Sequence, residues 1–129
     1  MLNRNRRLKA GLYMGICILL LSNLAYADTT VGRWCDRTVP SMPQFNRVMT
    51  ILLTQDGRVE LKSEFNDGSS SVRELQELSG NMYALTDSQS GERYRVIPAD
   101  GSLQLLDEDG LVRTATRLEN TPQARECGR

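Results

Sequence analysis

The stretch RVELKSEF, Arg58 to Phe65, decides the fold. Val59, Leu61, Ser63 and Phe65 fall on one side of an extended chain, and Arg58, Glu60, Lys62 and Glu64 on the other. A period of two with the charges on one face is the pattern of a half-buried antiparallel strand.

The same rhythm spreads in both directions. RVMTILLTQ precedes it as a β-rich apolar run, and NMYALTD, ERYRVIPA, SLQLLDE and LVRTATRLE follow as short strands. Turn residues separate them: QDG ending at Gly57, NDG at Gly68, SGN over 79–81, QSG at Gly91, ADG at Gly101 and EDG at Gly110. Asp-Gly pairs suit tight hairpins. Turns about ten residues apart leave no room for crossover helices, so the order is an antiparallel meander.

Two segments depart from the rhythm. SSVRELQELSG spaces Val72, Leu75 and Leu78 by three, which suits a short helix as well as a bulged strand. Its shortness and its hairpin neighbours favour the strand. TVPSMPQFN carries Pro40 and Pro43, which forbid regular pairing, so it reads as a loop after the first strand. Seven or eight strands in one open sheet would expose two edges and an apolar face. The expected fold is therefore all-β, a small antiparallel meander curled into a barrel or folded into a sandwich.

The N-terminus has a different character. MLNRNRRLK carries Arg4, Arg6, Arg7 and Lys9 without an acid; an apolar run follows over 10–21, and the segment ends in Ala25-Tyr26-Ala27. Basic, apolar, then Ala-x-Ala is the order of an export signal, and the run is shorter than the roughly 20 residues that span a bilayer. The expectation is a cleaved signal peptide over 1–27 and a single small β domain over 28–129, periplasmic or secreted, with no stable membrane insertion after cleavage. The whole 129-residue chain has equal numbers of basic and acidic residues, so loss of the basic leader leaves an acidic domain. That argues against a nucleic-acid partner.

Cys17 leaves with the leader, and Cys35 and Cys127 remain, one near each end of the domain. Two thiols in an oxidising compartment are most simply a disulfide. Closing so long a loop contributes at most about 4–5 kcal/mol. Trp34, the only tryptophan, alternates with Cys35 and is expected to point inward while the bridge lies outside.

Catalytic chemistry finds little footing. The chain has no histidine, no C-x-x-C and no S-x-x-K. The acidic run Asp107 to Asp109 reads as a solvated hairpin tip rather than a calcium loop. No enzyme activity, metal or cofactor is expected. Met42 and Phe45, apolar residues in a proline-stiffened connection, are candidate contact residues, with capping of the core by Phe45 as the alternative. Arg93 and Arg95 share one strand face and Arg113 and Arg117 another. If the strands lie close, the four guanidiniums would line one surface able to receive carboxylates. The alternative is a set of outward charges balanced by Glu60, Glu64 and Glu92. On this reading Tyr94, Val96, Ala115 and Leu111 take the opposite face.

Gly32-x-Trp34 ahead of a β meander, with an arginine on the last strand, resembles the start and end of lipocalin-like barrels. The resemblance implies that Trp34 plugs one barrel end and that Arg113 or Arg117 packs over it.

The functional expectation is a non-catalytic protein-binding module, such as an inhibitor, an immunity-type protein or an envelope accessory protein, whose partner is another envelope protein. The alternative is a lipocalin-like carrier of a small apolar or anionic ligand.

Overall fold

The computed structural model describes residues 27–39, 41–118 and 127. The leader segment 1–27 lies outside the described residues apart from Ala27, and no helix among them is long and apolar enough to cross a membrane. Eight strands run in order: β1 (Thr29–Asp36), β2 (Arg47–Leu53), β3 (Val59–Phe65), β4 (Ser70–Leu78), β5 (Met82–Leu85), β6 (Arg93–Val96), β7 (Leu103–Asp107) and β8 (Gly110–Arg117). Each pairs antiparallel with the next, and β8 pairs back with β1 to close a barrel. Of the two expected solutions, the barrel is the one adopted.

The alternation in β3 works as read. Val59, Leu61 and Ser63 are buried and Phe65 is half-buried. β4 is a strand, so the helical alternative for this segment falls away. Its register with β3 and β5 turns Leu75 into the core opposite Val59 and Leu85. Val72, opposite Lys62, and Leu78, opposite Met82, face outward and are exposed. Three-residue spacing in a strand puts successive apolar residues on opposite faces, so only one of the three is buried.

Eight strands enclose an interior just wide enough to be filled by side chains. Trp34, Met49, Ile51, Leu61, Tyr94 and Leu103, each no more than 2% exposed, fill it here. The indole N–H of Trp34 donates to the Gly101 carbonyl in the β6–β7 turn at 2.8 Å. Gly32 lies against the same ring: a Cβ there would stand 2.5 Å from Cη2. The spacing Gly-x-Trp thus has a steric cause, because both residues point into the barrel and the indole occupies the space of a side chain at position 32. Gly101 adopts φ +74°, and the aliphatic part of Arg117 fills the position a Cβ would take.

Cys35 and Cys127 form the expected disulfide on the outer side of the wall. There they make a small apolar cluster with Val48, against which Leu118 packs. Trp34 inside and Cys35 outside is the alternation expected of the first strand.

Candidate functional site

The up-and-down topology sorts the connections into two ends. The turns β2–β3, β4–β5 and β6–β7 lie at one end. The β1–β2 connection and the turns β3–β4, β5–β6 and β7–β8 lie at the other, and it is this second end that carries unusual features.

Its inner wall holds a charged cluster. Asp36, the last residue of β1, has no exposed side-chain surface. Nε of Arg47 donates to it at 2.8 Å, and Nε and Nη2 of Arg113 donate at 2.6 and 2.8 Å. Arg47 also donates to the Ser63 hydroxyl at 3.2 Å and lies 6.0 Å above the Phe65 ring. Tyr94 donates its hydroxyl to Glu92. Burial by itself would raise the pKa of Asp36, but the bonds from Arg113 and Arg47 outweigh it and hold it below its ordinary value. Burial, then the bond to Glu92, pushes Tyr94 up. The carboxylate is committed to two guanidiniums and the phenol to a carboxylate. The arrangement is a strut joining β1, β2 and β8. Among the described residues no cluster of three His, Cys, Asp or Glu could hold a metal ion.

The β1–β2 connection stands at this end, and hydrogen bonds hold it at several of its described residues. The Met42 amide donates to the Val39 carbonyl at 3.0 Å, and those of Phe45 and Asn46 donate to Met42 and Pro43, both at 3.1 Å, forming a 3-10 turn over Pro43–Phe45. The Thr38 hydroxyl donates to the Phe45 carbonyl at 3.2 Å. The β3–β4 turn holds the loop from the side: the Asn66 amide donates to the Asn46 carbonyl at 3.0 Å, and Asn66 Nδ2 to the Pro43 carbonyl at 3.2 Å. On this frame Met42 is 44% and Phe45 51% exposed, with Val39 exposed beside them. Phe45 therefore does not cap the core.

The four arginines do not form one surface. Tyr94 pairs with Tyr83 and Leu105 in the core, so its neighbours Arg93 and Arg95 face outward. Arg113 lies opposite the core residue Leu105, Ala115 opposite Leu103, and Arg117 opposite Trp34, so these three face inward. Expecting Ala115 on the face opposite Arg113 and Arg117 was an error of parity, since residues two apart in a strand share a face. Nor do Glu60 and Glu64 balance this set, whereas the Glu92 carboxylate acts on Arg113 through space. Glu60 meets Arg58, Glu64 meets Lys62, and Arg113 takes Asp36. Of the two candidates to cover the Trp34 end, Arg117 is the one there, lying along Gly101.

Asp36, Arg47, Val39 and Asn46 were not singled out by sequence reasoning. For Asp36 a signal existed: two residues beyond Trp34 in one strand, it must share the inward face, and a buried carboxylate requires cationic partners.

Comparison with protein-family models, with curated proteins and with solved structures finds no match to this chain.

Proposed function

We propose that the chain is an exported, non-catalytic binding module of the cell envelope, acting on another protein as an inhibitor, an immunity-type protector or an accessory subunit. The observation that carries this reading is the exposure of Met42 and Phe45 on a loop already fixed by hydrogen bonds. Apolar side chains held in one conformation lose little entropy on association, which is how a small patch can supply much of an interface's affinity. Export is supported by the leader-like N-terminus and by the Cys35–Cys127 bridge, a bond that persists in oxidising compartments. The filled interior favours binding at the outside of the barrel over carriage of a ligand within it.

The test replaces both residues. A Met42→Ala/Phe45→Ala domain is compared with wild type in affinity capture from the envelope fraction, alongside its melting temperature. Loss of the captured protein at an unchanged Tm is expected. Undiminished capture, or a fall in Tm that accounts for the loss, overturns the assignment.

A further inference from the structure

We infer that the Cys35–Cys127 bridge is a redox-sensitive latch on the loop that presents Met42 and Phe45; the consequence for binding rests on the function proposed above, but the latch itself does not.

The connection runs through Asn46. This residue is only 4% exposed and joins the loop to β2. Its amide closes the 3-10 turn and its carbonyl receives Asn66. Its side chain makes one bond, from Nδ2 to the carbonyl of Cys127 at 3.2 Å, while its Oδ1 is buried without a hydrogen-bond partner. The hub of the loop thus depends on a carbonyl 81 residues away in sequence, whose own position is set by the disulfide from Cys127 to Cys35. Without the bridge, nothing covalent holds Cys127 against Asn46. The side-chain amide then has a buried acceptor and two buried donors unsatisfied, a cost met by turning out to water. Turning out moves Asn46, and with it both ends of the 3-10 turn.

The bridge is largely covered, Cys35 being 7% and Cys127 2% exposed, but it borders open space. A recess of about 180 Å³ lies beside it, lined by Cys35, Arg37, Thr116, Leu118 and Cys127. The exposed Arg37 favours an approaching thiolate. The reductant is a dithiol. Its thiolate attacks one sulfur of the bridge and releases the other as thiolate. The second thiol then displaces the first protein sulfur, and the reductant leaves as its own disulfide. Two electrons pass to the bridge, and two protons complete the Cys35 and Cys127 thiols.

The experiment needs no partner, so it fails or succeeds independently of the binding assignment. Backbone ¹⁵N order parameters are measured on the oxidised domain and after dithiothreitol, with a Cys35→Ser/Cys127→Ser domain as a reagent-free equivalent of the reduced state. The expected result is a fall at Met42, Gln44, Phe45 and Asn46 from about 0.85 to below about 0.6, with β3 to β7 unchanged. Oxidised Asn46→Ala should show the same local fall with the bridge intact. Unchanged loop values on reduction overturn the latch, as does a fall spread across all strands, which would make the bridge a general staple. An unaltered loop in Asn46→Ala overturns the route through Asn46.

Discussion

Asp36 on β1 and Arg113 on β8 are joined by two hydrogen bonds across the seam where the barrel closes, and the backbone ladder along that seam is only two residue pairs long, Trp34 with Arg117 and Cys35 with Thr116. One further main-chain bond, from the Leu118 amide to the Arg33 carbonyl, extends the ladder toward one end. Toward the other end the ion pair takes over, with Arg47 completing the carboxylate's coordination from β2.

Removing that carboxylate leaves Arg47, 14% exposed, and Arg113, 31% exposed, without the buried counter-charge they share. Asp36→Ala is expected to cost about 3–5 kcal/mol, the range for breaking a buried pair by deleting one partner. Urea unfolding followed by Trp34 fluorescence measures it. A loss under about 1 kcal/mol would mean that solvent reaches the cluster as it does a surface pair.

The same group sets a pH dependence with a definite sign. Asp36 has a lowered folded-state pKa, so its contribution is fully present above the unfolded value of about 3.9 and is lost as pH falls through the folded value. Wild-type stability should fall more steeply below about pH 4 than that of Asp36→Asn. Urea midpoints from pH 6 to pH 2 give both slopes, and equal slopes would show that Asp36 is not held in its charged form.

Exposed ion pairs should behave differently. Arg73 and Asp87 meet at 2.9 Å, but their side chains are 40% and 67% exposed. Arg73→Gln is expected to cost no more than about 1 kcal/mol by the same urea assay. A cost matching that of Asp36→Ala would remove the distinction between buried and exposed charge on which the seam argument depends.

Gly32→Ala probes the packing of the indole. The added methyl would lie 2.5–2.6 Å from Trp34 Cη2 and Cζ2, so the ring must move and its bond to Gly101 must stretch. A destabilisation of about 1–3 kcal/mol is expected, with a shift in Trp34 emission. Unchanged emission and midpoint would place the ring elsewhere.

The fold was largely legible because its signals are local. Alternation over Arg58 to Phe65 fixes a strand without reference to anything distant, and an Asp-Gly pair such as Asp109-Gly110 fixes a hairpin from adjacent residues alone. β4 was ambiguous for the same reason. Its apolar spacing carries no clear period, and what makes it a strand is ladder bonding to β3 and β5 on both sides. The candidate site was less legible. Met42 and Phe45 stood out as apolar residues in a proline-stiffened connection, but the frame that fixes them depends on Asn66 and Cys127, distant in sequence. The arginine surface failed because strand parity was followed within pairs and not across the barrel. Arg93 faces out through its offset from Tyr94, whereas Arg113 faces in through its register with Leu105.

Site-specific photo-crosslinking tests the central claim most directly. A photoreactive residue is placed in turn at Met42, at Phe45 and, at the opposite barrel end, at Ser79, and the chain is irradiated in the cells that produce it. Adducts to another protein from positions 42 and 45, with none from 79, are the expected result. Adducts from 79 alone, or none from any position, would contradict a binding module that meets its partner through the β1–β2 loop.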